Sequence, residues 1–304
     1  MAQRLTGVIT PLLTPYNDDG TIAYDLYCAH AALCLQDGAH YLSPFGTTSE
    51  APSHSSRERL QAVETLASSG SARPDQMMPG TGLCSLEETV ELCRHASELG
   101  CAGVMVLPPF FLKPVSDEGL YRYFSELIER LGSNPPSICL YHIPQNSGVP
   151  VSPNLSARLN AAFPEVVLAY KDSSGDSSNT RAVIEAAPGL SVFPGSETVM
   201  SDAMALGGAG CISASCNSNV AAIRRLYDAI VSKRADEVSA LIEPIAKHRE
   251  ALREAGLIPG LKSLKAHMTG DARWLTLRAP MLNADPNVGP RLAETIGSER
   301  QEVS

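Results

Sequence analysis

Short apolar runs recur along the first two-thirds of the chain, at 8–16, 39–48, 77–82, 103–111, 137–144, 166–174, 190–197 and 209–216. Compact apolar runs of this kind mark strands buried on both faces, as in a parallel sheet. The segments between them have helical period; Leu86, Val90, Cys93, Ala96 and Leu99 fall along one face. Several carry helix-start signals. Ser85 precedes Leu86-Glu87-Glu88, Ser116 precedes Asp117-Glu118, and Asp176-Ser177 open a run that ends at Ala187-Pro188-Gly189. Beyond about residue 220 the strand signal stops, and 221–232, 235–255, 261–268 and 290–297 read as helices. Eight strand–helix units predict an α/β fold, a (β/α)8 barrel over residues 1–232 with a C-terminal helical region over 233–304. A doubly wound dinucleotide fold is disfavoured, because no GxGxxG follows the first strand.

In such a barrel, chemistry gathers where strands end and βα loops begin. There the chain places Phe45-Gly46-Thr47-Thr48-Ser49-Glu50, Tyr141-His142-Ile143-Pro144, Lys171-Asp172-Ser173-Ser174, Pro194-Gly195-Ser196-Glu197 and Ile212-Ser213-Ala214-Ser215. Lys171 closes an otherwise uncharged run. Desolvation disfavours an ammonium, and a neutral amine attacks a ketone to give an imine, an electron sink for carbanion chemistry. By position alone a lysine there more often snorkels or pairs with a neighbour such as Asp172. Tyr141 could relay protons, although a strand-end tyrosine is more often packing. The Gly46-Thr47-Thr48 turn offers amides and hydroxyls for a carboxylate, or equally a helix cap.

Composition narrows the classes. With 44% hydrophobic and 19% charged residues the chain reads as globular. Its net charge of -9 and the lack of any long basic run argue against nucleic acid. No apolar stretch is long enough for a membrane span, and the first residues do not read as a secretory signal, so a cytoplasmic location is expected. The eight cysteines form no CxxC pair and the seven histidines no HxxxH or HExxH spacing, so free thiols and no metal site are expected.

Taken together these segments resemble the dihydrodipicolinate synthase/N-acetylneuraminate lyase family of class I aldolases over nearly the whole chain. Residues 7–16 are similar to the family's first strand and 46–50 to its GTTGE loop. Residues 141–149 are similar to its Tyr-Asn-x-Pro motif, 171–176 to its Schiff-base lysine motif and 210–217 to its eighth strand; Leu257–Lys262 and Leu277–Met281 are similar to motifs of its helical C-terminal part. The resemblance implies that Lys171 forms an imine with pyruvate or a 2-keto acid and that Tyr141 and Thr47 relay protons. It implies that Thr48 and the Ser49 amide hold the carboxylate, and that the Ile212 carbonyl lies close to the keto acid. It also implies a homotetramer and no metal or organic cofactor.

Departures bear on the substrate. Phe111 stands where dihydrodipicolinate synthases carry a relay tyrosine, Asn146 where they carry an arginine for the aldehyde's carboxylate, and Ser49 where a glycine is usual. Ala214 stands where the sialic acid lyases usually carry serine. With Gly195 beside them, Asn146, Ser147, Ser196, Ser213 and Ser215 predict a largely neutral distal pocket with Glu197 the one charge, suited to a polyhydroxylated chain. The expected activity is an aldolase or dehydratase acting on pyruvate or a 2-keto-3-deoxy sugar acid. The alternatives are a 4-hydroxy-tetrahydrodipicolinate synthase-like condensation of pyruvate with an aldehyde and a non-catalytic keto-acid-binding relative. Metal-assisted aldol chemistry on a barrel lacks a ligand cluster in the sequence.

Overall fold

The computed structural model describes residues 4–300. Seven short strands run parallel: β1 (Gly7–Thr10), β2 (Tyr41–Leu42), β3 (Val104–Val106), β4 (Ile138–His142), β5 (Val167–Asp172), β6 (Ser191–Pro194) and β7 (Gly210–Ile212). They form two ladders, β2-β1-β7 and β3-β4-β5-β6. The eighth expected strand is the extended stretch between β2 and β3, which joins the ladders without forming one of its own. Met77 bridges Leu42, Gly80 bridges Met105, and the Met105 amide donates to Pro79 O at 2.9 Å. On the other side the Ala209 amide donates to Val192 O at 2.9 Å, closing the ring between β6 and β7.

Prolines account for part of the difference between expected and observed strand lengths, at β1, β2, β3 and the stretch that joins the ladders. Pro11, Pro44, Pro79 and Pro108 each lack an amide donor, so pairing stops or is reduced to single bridges where they fall. Gly80 is required in the joining stretch, since a Cβ there would sit 2.0 Å from Phe45 O.

Among the described residues, twelve α-helices follow and flank the strands: α1 (Tyr24–Gln36), α2 (Ser56–Ser68), α3 (Leu86–Leu99), α4 (Asp117–Leu131), α5 (Pro144–Ser147), α6 (Pro153–Ala162), α7 (Ser177–Ala186), α8 (Met200–Ala205), α9 (Cys216–Val231), α10 (Ala235–Glu254), α11 (Leu257–Thr269) and α12 (Val288–Arg300). The start signals act as caps: Ser85 accepts from the Glu88 amide, Ser116 from Gly119 and Asp176 from Ser178. On α3, Val90, Cys93 and Ala96 are buried, as their spacing requires. None of the described helices is long and apolar enough to cross a membrane.

Alternation along the strands separates two cores. Val104, Val106, Ile138, Leu140, Val167, Tyr170 and Val192 pack outward against helices. Ile9, Met105, Cys139, Tyr141, Ala169, Phe193 and Ile212 fill the barrel interior. Each such buried aliphatic or aromatic side chain contributes ~1.5–3 kcal/mol relative to exposure. A further cluster ties Leu13 and Ala214 of the barrel to Leu252, Leu261, Leu264 and Trp274, so the C-terminal helices share a core with the barrel mouth.

One irregularity sets the phase of β5. Ile138 pairs with Val167 while Cys139 pairs with Ala169, so Leu168 is an extra, bulged residue. The bulge leaves the Val167 carbonyl to Asn160, whose Nδ2 donates to it at 2.9 Å. Beyond the bulge Tyr170 points to the helices, while Ala169 belongs to the interior core and Lys171 lines the cavity above it.

Candidate active site

At the C-terminal mouth of the barrel lies a cavity of about 760 Å³, and Thr47, Thr48, Tyr141, Asn146, Lys171, Gly195 and Ile212 all line it. Register places the first pair: Tyr141 of β4 is the ladder partner of Lys171 of β5. Both side chains are buried, and Lys171 Nζ lies 4.3 Å from the centroid of the Tyr141 ring. The Tyr141 hydroxyl shares a 3.0 Å hydrogen bond with Thr47 Oγ1. An amine, a phenol and an alcohol therefore form a contiguous path from β5 through β4 to the loop after β2.

Asp172 is no partner for Lys171. Its Oδ1 accepts from Ser174 N at 2.9 Å and Ser174 Oγ at 2.6 Å, and its Oδ2 from Asn179 Nδ2 and Thr180 Oγ1, both at 2.8 Å. The carboxylate thus fixes the turn into α7 and leaves the lysine to the cavity.

The threonine loop is held rigidly from behind. Phe45 and Glu50, on either side of it, both adopt left-handed backbone conformations, at φ 60° and 57°. Ser49 lies outside the cavity lining and is fully buried. Its Oγ accepts from the Phe45 amide at 2.9 Å and donates to Leu12 O, and its own amide donates to Gly46 O at 3.1 Å. The residue expected to cradle a carboxylate is thus a tie within the loop.

Glu50 anchors the loop to the C-terminal region. Its Oε1 accepts from Lys262 Nζ at 2.5 Å in a fully buried ion pair, and its Oε2 from the Arg278 amide at 3.0 Å. Lys262 also donates to Thr276 O at 2.8 Å and lies 4.2 Å from the centre of the Tyr16 ring. Burial pulls the Lys262 ammonium down to about 8, against the opposing pull of Glu50. Below them His54 joins the Tyr16 hydroxyl at 3.0 Å and Glu50 O at 3.0 Å.

Burial lowers the His54 pKa to about 4, with Arg278 adding to the effect. A histidine kept neutral in the folded state binds a proton on unfolding between its unfolded value of 6.5 and about 4. Stability therefore falls as pH drops through that window, by about 3 kcal/mol at most for this group. Denaturant melts of wild type and His54→Asn from pH 7 to pH 4 check this; the variant is expected to show the shallower pH dependence.

The distal pocket differs from expectation. Asn146 and Ser196 line the cavity, but Ser147, Ser213, Ser215 and Glu197 do not. Ser147 Oγ is spent on Ile143 O and Val149 O, and Ser213 Oγ donates to the buried Glu197 carboxylate. The charge expected from Glu197 is replaced in the lining by Arg249, which enters from α10. Arg249 Nη1 donates to Glu197 Oε2 at 3.1 Å and to Ser213 Oγ at 3.0 Å. Gln145 also lines the cavity, with Nε2 on Ser173 O at 2.6 Å.

Sequence reasoning missed Arg249 because it looked only to βα loops. A signal was present: 249 falls on the stripe of α10 that buries Leu241, Ile245, His248 and Leu252, where a charged side chain needs a partner. Phe111 lies outside the lining and is 77% exposed. Tyr123 does not take its place, since its hydroxyl donates to Leu83 O and Thr89 Oγ1 outside the cavity. Among the described residues no group of three or more His, Cys, Asp or Glu side chains converges as a metal-ligand set.

The family model described as the dihydrodipicolinate synthetase family matches residues 4–298. The chain belongs to that family. Relatives agree. An uncharacterized DapA-like lyase of Chloroflexus aurantiacus is 31% identical over 91% of each chain. A 4-hydroxy-tetrahydrodipicolinate synthase of Thermus thermophilus is 36% identical over 69% of each. Among solved structures, dihydrodipicolinate synthase from Agrobacterium tumefaciens superposes with a TM-score of 0.87 at 31% identity, covering 96% of this chain and 99% of its own. The 2-keto-3-deoxygluconate aldolase of Sulfolobus solfataricus shares the fold, with a TM-score of 0.86 at 20% identity, over 98% of this chain and 97% of its own. The family's members are synthases and lyases, and the barrel with its C-terminal helices is their common architecture.

Proposed function

We propose that this family member is a Schiff-base-forming aldolase or dehydratase in which Lys171 holds pyruvate, or a 2-keto-3-deoxy acid that contains it, as an imine. The observation that carries the reading is the buried Lys171 amine against Tyr141, whose hydroxyl is bonded to Thr47 within one cavity.

The chemistry follows from those groups. Lys171 Nζ attacks the C2 carbonyl, and Tyr141 passes protons so that water leaves and an iminium forms. In cleavage, the C4 hydroxyl gives up its proton through Tyr141 and Thr47, and the C3–C4 pair moves into the iminium. The aldehyde departs and leaves an enamine. Protonation at C3 and hydrolysis then return pyruvate and free Lys171. Thr48, on the same loop and in the cavity lining, would donate to the keto acid's carboxylate. Ile212 and Gly195 face the cavity from the ends of β7 and β6. The cycle consumes no metal or organic cofactor.

Tyr141→Phe keeps the ring beside Lys171 and removes the relay. Its expected effect is a fall in kcat of about 10²–10⁴-fold, with an adduct on Lys171 still obtainable after long incubation with pyruvate and borohydride. An unchanged kcat would show that protons move by another route.

A second reading is supported by the Thermus relative, whose name is that of a 4-hydroxy-tetrahydrodipicolinate synthase. It predicts condensation of pyruvate with an aldehyde that carries its own carboxylate. The experiment that separates the two measures pyruvate release from a set of 2-keto-3-deoxy acids and pyruvate consumption with aldehydes. Release without consumption supports cleavage, the reverse supports condensation, and an adduct with neither marks a keto-acid binder. The family resemblance also supports a homotetramer, which light scattering at micromolar concentration tests.

A further inference from the structure

We propose that Arg249 reads the far end of the substrate, and that this end carries an oxyanion, a second carboxylate or a phosphate. The inference rests on the Schiff-base reading and adds the substrate class to it.

Among the described residues, four charged side chains line the cavity: Lys171, Asp172, Asp176 and Arg249. Lys171 is the imine-forming group. Both oxygens of Asp172 are occupied by Ser174, Asn179 and Thr180. Asp176 turns its Oδ1 to Ser178 N at 2.9 Å and Oγ at 2.7 Å, capping α7. Arg249 differs from the two aspartates. Its Nη1 is anchored by Glu197, Ser213 and, at 3.5 Å, Ser215, while among the described residues Nη2 has one long contact, to Gly195 O at 3.5 Å. Among the described residues the Nε–Nη2 edge has no ionic partner, and the side chain keeps 27% exposure. A guanidinium pinned through one nitrogen presents the remaining fork in a fixed plane, the geometry that grips a carboxylate or phosphate by two parallel bonds.

The fork also stands at a suitable height. Phe193 is the ladder partner of Lys171, and Gly195, which touches the guanidinium, lies two residues further toward the mouth. At about 3.3 Å per residue that is roughly 7 Å above the Lys171 backbone. Carbons C2 to C6 of an extended acid span about 5 Å from bonds near 1.5 Å, so a six-carbon chain tethered at C2 can bring its terminal group to this level. Asn146, at the rim where an arginine would otherwise meet a second carboxylate, offers no charge. Arg249 supplies one from beside the ends of β6 and β7, on a helix outside the barrel.

Trapping with borohydride on the wild-type protein tests this with three six-carbon 2-keto-3-deoxy acids that differ only at C6: hydroxyl, carboxylate and phosphate. The half-saturating concentration is expected to be at least about 10-fold lower for an anionic end than for the hydroxyl, with the gap narrowing in high salt. Preference between carboxylate and phosphate tells the two sources apart, and either one supports the assignment. Equal saturation by all three acids overturns it. In Arg249→Gln the gap is expected to close to within about 3-fold, and a persisting gap assigns the oxyanion to another residue. Arg249→Lys, which keeps the charge without the fork, should fall between. Thermal melts show whether either variant folds, and the wild-type comparison stands without them. If pyruvate itself gives no adduct, the Schiff-base reading has failed. Calorimetric titration of the same three acids then still reads the preference for the anionic end.

Discussion

Lys171→Ala is expected to abolish both turnover and the borohydride-stabilised adduct with pyruvate, with activity falling by at least about 10⁴-fold. The amine is the only group in the path through Tyr141 and Thr47 that can condense with a ketone to an imine, and among the described residues no other lysine lines the cavity to substitute for it. Lys171→Arg should fail equally. It restores the charge but not a nucleophile, because guanidinium stays protonated. That pair of variants separates imine chemistry from a merely electrostatic role. If arginine restored even a hundredth of the activity, the lysine would be acting as a charge. Peptide mass spectrometry of the reduced wild-type protein should place the added carbon on Lys171 and on no other lysine. Lys262 and Lys265 are also buried, but they sit in the C-terminal core outside the cavity lining.

The second large effect lies away from the reacting atoms. Lys262→Met leaves the Glu50 carboxylate buried with no ammonium beside it, and loss of one partner from such a pair destabilises by about 3–5 kcal/mol. For a chain of this size that is a fall in melting temperature on the order of 10 °C. Glu50→Gln combined with Lys262→Met removes the uncompensated charge and should recover much of the loss. Scanning calorimetry of the two variants measures it. Activity should follow a different course. Glu50 closes the loop that carries Thr47 and Thr48, so the double variant is expected to regain stability more fully than turnover. Equal recovery of both would show that the ion pair holds the fold and not the loop.

Barrel and helices were legible because their signals are periodic. Eight apolar runs and the caps at Ser85, Ser116 and Asp176 stand in the sequence, and the structure uses them there. Strand ends are less legible: the prolines at 11, 44, 79 and 108 withdraw amide donors, while β5 and β7 stop at Asp172 and Ile212 with no proline to mark the place. For the site, the positions of Lys171, Tyr141 and Thr47 follow from strand order, and the structure brings the three together. Ser49, Ser213 and Glu197 were placed by proximity in sequence, but a side chain at a strand end can turn behind the loop as easily as into the cavity. Two of the partners that decide this, Leu12 for Ser49 and Arg249 for Glu197, lie far along the chain from the residues they hold. Arg249 is 52 residues from the glutamate that holds it, on a helix whose approach to the barrel is decided by tertiary packing.

The bulge at Leu168 has a consequence for how freely this strand can vary. A regular strand is a single rotor: shifting the residues that meet the helices shifts those that meet the substrate by the same half-turn. With one residue inserted, β5 carries two independent settings, Val167 answering to the helical layer and Lys171 to the cavity. Were the bulge drawn flat, so that Leu168 took a regular place in the ladder after Val167, the same side chains in the same order would send the amine into the hydrocarbon between β5 and its covering helices, and bring Asp172 inward. The difference between an amine that faces the cavity and one walled off from it is then how a single backbone unit is accommodated, beside a carbonyl held by the side-chain amide of Asn160.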